Sequence, residues 1–305
     1  MTKKHISDFV LGAIFLVGCF LLMSCSHRSN NEGEQVPIRL LTSIQSRSAI
    51  DLFRETPVSL VAGNYKDALN EQWEGIANDG QIELRPQRYY PADGSTLYLR
   101  GFYPQTEIEG NTAHYLLTGN EDLLFADACT GSLARPFDGG DRLLTFRHLL
   151  AQLNVSLKSD KNFPTEYRLR SVCINGSSSG ASLDLLQGEL SFTDDIAPLF
   201  LYRAESHEEG YALQPEESVS LGHLLVQPGA TLTVDMTLSR DNKKEHDLIL
   251  NDIPVKFEGG SSETGLAYLI EIKIPTPLSL NALLTHWTDG KNGTGNVVVP
   301  GEEKE

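Results

Sequence analysis

The stretch 88-RYYPADGSTLYLRGFYPQ-105 decides the fold class. Two aromatic–proline corners, Tyr90-Pro91 and Tyr103-Pro104, bracket a single apolar run. Proline lacks an amide hydrogen, so strand pairing ends at each corner. Asp93-Gly94 supplies a tight turn ahead of the run, because glycine meets no steric cost at positive φ. Leu97, Leu99 and Phe102 share a face only if the alternation slips at Gly101, which predicts a bulge that swings Phe102 towards the core. The stretch reads as one well-bounded strand.

The same grammar runs outward from Val36 onward. Ile38, Leu40, Thr42 and Ile44 alternate with polar neighbours, as do Val58, Leu60 and Ala62, and again Ile82 and Leu84. Strand-length runs follow at 113-AHYLLTG-119, 122-DLLFA-126, 153-LNVSLKS-159 and 168-RLRSVCING-176. Others lie at 182-SLDLLQGELSF-192, 231-TLTVDMTLS-239 and 266-LAYLIEIKI-274. Strands about 8–12 residues apart, with turn chemistry between them, indicate antiparallel sandwiches or barrels. Helical pattern is scarce: 65-YKDALNEQWEGI-76 fits a short helix, and 146-FRHLLAQL-153 fits one turn or two. No strand alternates with a long amphipathic helix, which argues against a parallel βαβ sheet. The charged, proline-containing stretch 159-SDKNFPTEY-167 marks a seam between an N-terminal sandwich, 36–160, and a C-terminal one, 161–305.

Of 305 residues, 40% are apolar and 22% charged, which is ordinary for a globular chain. A net charge of -16 speaks against nucleic acid, since phosphate binding needs clustered Lys and Arg. Lys3 and Lys4 precede an apolar segment, Phe9 to Met23, laid out as an export signal and short for a membrane span. It ends in Leu22-Met23-Ser24-Cys25, which resembles the bacterial lipobox. In such signals the cysteine is acylated and becomes the first mature residue, so residues 1–24 are read as a signal peptide. Cys19 offers a competing match, but 26-SHRSNNEGEQ-35 after Cys25 is the better polar tether. Several acyl chains on Cys25 give a lasting anchor. The remaining cysteines, Cys129 and Cys173, leave both a disulfide and two buried thiols open.

Catalytic constellations with workable spacing are lacking: there is no GxSxG, HExxH, P-loop or dinucleotide fingerprint. The chain is read as a non-enzyme with no cofactor and no metal. His148, flanked by apolar residues in LTFRHLL, reads as a hydrogen-bonded core histidine. Asp241, Glu245 and Asp247 space loosely like a calcium loop, but Lys243 and Lys244 intrude and no closing glutamate follows. Trp73 and Trp287 read as core anchors before sugar platforms.

Taken in order, 90-YPADG-94, 96-TLYLRGFYP-104, 118-TGNEDLLFA-126 and 143-LLTFRHLLAQLNVSL-157, with the lipobox and 36-VPIRLLTSIQSR-47, resemble the fimbrillin family. These are lipid-exported subunits of type V pili of Gram-negative anaerobes. The resemblance weakens in the C-terminal half, where 266-LAYLIEIKIPTPLSLNALLTHW-287 carries it. It implies an all-β fold of two tandem antiparallel β-sandwich domains with transthyretin-like Greek-key topology. It also implies passage to the outer membrane, cleavage after an arginine beside the first strand, and replacement of that strand by one from another pilus subunit. Arg47 matches that cleavage position. After Trp287 only Val297 to Val299 form an apolar segment, short for a donor strand, which favours a tip, accessory or lipid-held anchor subunit over a stalk subunit. A tip would present a surface to a host or bacterial receptor. The alternative is a standalone surface lipoprotein that binds glycans.

Overall fold

The computed structural model describes residues 35–45, 54–140, 142–205, 210–240, 247–274, 280–285 and 292–297, the last two for the backbone only. The strands, in order, are β1 (Leu40–Ile44), β2 (Thr56–Gly63), β3 (Glu71–Asn78), β4 (Gln81–Arg85), β5 (Leu97–Tyr103), β6 (Ile108–Glu109) and β7 (Thr112–Leu116). Then come β8 (Leu124–Gly131), β9 (Leu143–His148), β10 (Ala151–Ser159), β11 (Arg168–Asn175), β12 (Gly180–Asp184), β13 (Glu189–Phe192) and β14 (Leu199–Arg203). The last are β15 (Tyr211–Ala212), β16 (Ser218–Val226), β17 (Thr233–Ser239), β18 (Leu248–Pro254), β19 (Ala267–Ile274), β20 (Leu280–Thr285) and β21 (Asn292–Val297). The chain is all-β, and among the described residues no helix occurs.

Seven strands close into a barrel in the order β1-β4-β3-β2-β5-β8-β9. Its interior holds Ile38, Leu40, Val58, Leu60, Trp73, Leu99, Leu144, Phe146 and neighbours. β5 is the strand read from its corners, but the slip expected at Gly101 does not occur. Its register against β2 is unbroken, and the two-residue step from Leu99 to Gly101 faces a three-residue step from Cys129 to Ala126, which puts the bulge in β8. Phe102 is fully buried, but on the face opposite Leu97 and Leu99: it packs with Val61, Tyr115 and Phe125 outside the barrel interior, because strict alternation carries it there. Gly94 sits at φ 73°, with its amide on the Pro91 carbonyl, which is the predicted turn.

Neither expected helix forms: 65–70 is a turn closed by a Tyr65–Ala68 bridge, and the rest is mostly strand. Residues 71–78 alternate as β3, with Trp73, Gly75 and Ala77 inward. A glycine in mid-helix costs about 1 kcal/mol against alanine. Here it is needed, because a Cβ on Gly75 would lie 2.5 Å from the Ile82 side chain. At 146–153 the chain runs from β9 into β10 through Leu149 and Leu150, both buried. This apolar doublet marks the passage from one core to the next and mimics helical spacing.

A small sheet, β13-β12-β7-β6, covers the outer face of the barrel. Ala113 opposes Leu183 and Tyr115 opposes Ala181, and these side chains pack with Val61, Phe102 and Phe125. Its strands come from both sides of residue 160. The third core lies between β16-β10-β19 and the sheet β14-β11-β17-β18, with β15 beside β11. Among the described residues two ladders are parallel, β1 with β9 and β10 with β19.

Candidate functional site

β1 is built by alternation. Ile38 and Leu40 face the barrel core, and Thr42 follows them inward at 4% exposure. Arg39 is exposed, and Leu41 and Ser43 are half-buried on the other face. Full burial of Ile38 and Leu40 stabilises the barrel by about 1.5–3 kcal/mol each.

Two neighbours hold the strand unequally. Against β9 it makes four consecutive parallel pairs, Leu41 with Leu143 through Ile44 with Phe146. Gln45 extends that ladder with its amide on the Phe146 carbonyl at 3.0 Å. Side chains reinforce it: the Thr42 hydroxyl donates to the Leu144 carbonyl at 2.9 Å, and the Ser43 and Thr145 hydroxyls meet at 3.1 Å. Against β4 there are two pairs, Leu40 with Ile82 and Leu41 with Gln81. The Thr42 amide adds a bond to the Gly80 carbonyl, at the Asp79-Gly80 turn where φ is 46° and 77°.

Beyond Leu40 the β4 side opens. The Ile38 amide reaches to the Arg88 carbonyl at 2.8 Å, and the Gln87 side-chain amide donates to the Ile38 carbonyl at 3.0 Å. Between lies a cleft of about 400 Å³, lined by Arg39, Gln81, Glu83, Gln87 and Asp138 with the edges of both strands. The loop that carries Asp138 plugs the barrel with Phe137, whose amide donates to the Tyr90 hydroxyl at 2.7 Å and whose ring stacks on Tyr90 at 5.9 Å. Burial pushes the Tyr90 hydroxyl up from its usual range.

β4 and β9 are joined in the barrel only through β1. Without it, two strand edges and the inward row would face solvent together. An edge of unpaired amides and carbonyls is a template for another strand.

Cys25 and Arg47 lie outside the described residues, as do Trp287 and the segment beyond Val297; Arg47 falls in the stretch that links β1 to β2. His148 is buried with its Nδ1 2.9 Å from the Asp122 carboxylate, the core role read for it. Trp73 anchors the barrel, its Nε1 on Glu71 and the Arg88 guanidinium over its ring. Cys129 and Cys173 are both buried and not in a disulfide. Asp241 and Glu245 are outside the described residues, and no metal-holding group of side chains occurs among those described. Sequence reading missed Glu83, Gln87 and Asp138, and the pairing of β1 with a strand 102 positions away. The first three carry no local signal, whereas Asp79-Gly80 is a legible hairpin turn.

The comparisons agree with this architecture. A profile described as fimbrillin-like matches residues 42–287. A crystal structure from Bacteroides uniformis, described as a cell adhesion protein, superposes with a TM-score of 0.57 at 17% identity, covering 83% of this chain and 99% of its own. A second, from Bacteroides ovatus and described in the same words, superposes at 0.51 with 11% identity, covering 88% and 99%. At such identities these likenesses speak for the fold alone. No curated protein is matched by this chain. The profile match spans the barrel from Thr42 and runs through the third core, so the chain belongs to the fimbrillin-like family.

Proposed function

We propose that this chain is a cell-surface pilus subunit or fimbrillin-like adhesin, exported as a lipoprotein and built into a fibre by strand exchange. In this reading Cys25 carries the acyl anchor in the outer membrane, and residues 26–35 form the tether. The N-terminal domain, 36–160, loses β1 after cleavage at Arg47, and a strand of another subunit takes its place. The C-terminal domain, 161–305, completes the subunit. Tip, accessory or anchor positions suit it better than a stalk position. A tip would offer a receptor-binding surface; an anchor would keep its lipid and escape cleavage. No catalytic step is assigned.

One observation carries the reading: a single short strand, on the chain just ahead of Arg47, closes the barrel between two strands that do not otherwise meet. Cleavage there would free a segment whose loss leaves backbone and core unsatisfied, and a partner strand satisfies both.

Shearing producing cells, then imaging the sheared material and sequencing the N-terminus of this chain, tests the whole route. Filaments that contain a chain starting at Ser48 are expected. Arg47→Ala should retain the longer form; an unchanged fragment pattern would remove Arg47 from the scheme.

A further inference from the structure

The groove that β1 fills has a chemistry of its own, and it discriminates among strands. Three of the inward positions, 38, 40 and 42, differ in kind. Ile38 and Leu40 are sealed by apolar side chains, whereas Thr42 occupies a buried place where its hydroxyl meets the Leu144 carbonyl. A larger apolar side chain at the third place would overpack the wall and remove that donor. On the outer side, the cleft beside β4 holds one cation among its lining residues, Arg39, against Glu83 and Asp138. Continuing the Leu40–Ile82 register by one step sets Arg39 across from Glu83. Glu83 also meets Arg85 at 3.1 Å, on the outer face of β4. When β1 leaves, Arg39 leaves with it, and the remaining lining keeps its carboxylates with no cation among them.

We infer that the strand that replaces β1 is selected by a five-residue pattern: large apolar, basic, large apolar, any residue, then serine or threonine. The inference rests on the strand-exchange reading and names the chemistry of the partner. Ile38-Arg39-Leu40-Leu41-Thr42 is the resident copy. The pattern recurs at 272-IKIPT-276 and 167-YRLRS-171. Ile272, Ile274 and Leu169 are each sealed in the third core, so neither copy is available for exchange. The segment 288-TDGKNGTGNVVVPGEEKE-305 does not carry it. The occupant we assign is a strand of another subunit that carries this pattern.

The test uses the full chain cut by limited trypsin in the 46–53 stretch and offered fluorescent peptides of sequence VPIRLLTSIQ and its variants. Capture is followed by anisotropy and gel filtration. The parent peptide should exchange in. The Arg39→Glu peptide should bind about fivefold more weakly at low salt, with the gap closing at high salt. The Thr42→Leu peptide should bind about tenfold more weakly. A Glu83→Lys host should reverse the charge preference, and the peptide series stands without it if that variant does not fold. Equal capture of parent, Arg39→Glu and Thr42→Leu peptides, with a Leu40→Asp peptide excluded, would overturn the pattern and leave strand exchange standing. Capture of no peptide, or equal capture of all four, would overturn strand exchange and the pattern together.

Discussion

Gly101 is where one absent methyl group holds two strands in register. A Cβ at that position would lie 2.6 Å from the Phe146 ring, which fills the barrel interior directly over β5. Gly101→Ala should therefore lower stability by about 1–3 kcal/mol, seen as a lower urea midpoint with an unchanged slope. Glu121 sets a pH dependence. Burial alone would raise its carboxyl, but the amide and hydroxyl of Thr118, each at 2.6 Å, outweigh it and hold the group below the usual glutamate range. A depressed carboxyl stabilises the fold above its unfolded value, and that gain is lost as pH falls through the folded value. Glu121→Gln should cost about 0.5–1 kcal/mol at neutral pH, after allowance for solvent exposure, with the difference shrinking below pH ~4. Parallel melts of both proteins across pH 3–7 would check it. The apparent break at Gly101 misled the reading: Gly101 takes the inward place in unbroken alternation, with Phe146 filling the space its side chain would need, and Phe102 covers the other face. Glu121 was not, since its partners depend on how the turn folds.

At the scale of elements, the turn between β12 and β13 is clamped to the barrel by two arginines. Buried Arg100, on β5, donates from Nη1 to the Leu185 carbonyl at 2.9 Å and to the Leu186 carbonyl. Arg147, on β9, donates to the Gly188 carbonyl at 2.7 Å and lies over the Phe125 ring. Asp184 caps the same turn through the amides of Leu186 and Gln187. Arg100→Leu would leave buried carbonyls without their donor, a loss of about 2–4 kcal/mol. Amide exchange across 181–192 should rise well before that of the barrel interior. The strands at either end of this clamp were readable from alternation. The clamp was not, because nothing local in LYLRGFY says that its arginine points at a turn some 85 residues away. The two expected helices failed for a related reason: short apolar runs fit periods of 2 and 3.6 alike until the partners are known.

For the whole molecule, one cysteine lies in the barrel core and the other is buried on β11 between the core residues Val172 and Ile174. Cys129 packs inside the barrel, its thiol on the Arg142 carbonyl, and Cys173 lies on β11 beside Asp235. Burial raises the Cys173 thiol, with Asp235 adding to the shift. Both should resist maleimide in the native protein and react once it is unfolded, and migration of the chain should not change with reductant. Rapid native labelling of either would contradict their burial.

Sequence by itself determined most of the strands, the turn at Asp93-Gly94 and the all-β class. Each is written in neighbours, where side-chain alternation and the φ preferences of glycine and proline act within a few residues. Only the tertiary structure decided that seven strands close on themselves, that β1 is the closing strand, and that Thr42 and Arg39 face such different surroundings. Those outcomes depend on which distant edges must be satisfied and which apolar faces must be covered. A pairing between Thr42 and Leu144 is settled by the closed sheet as a whole and leaves no mark on either segment.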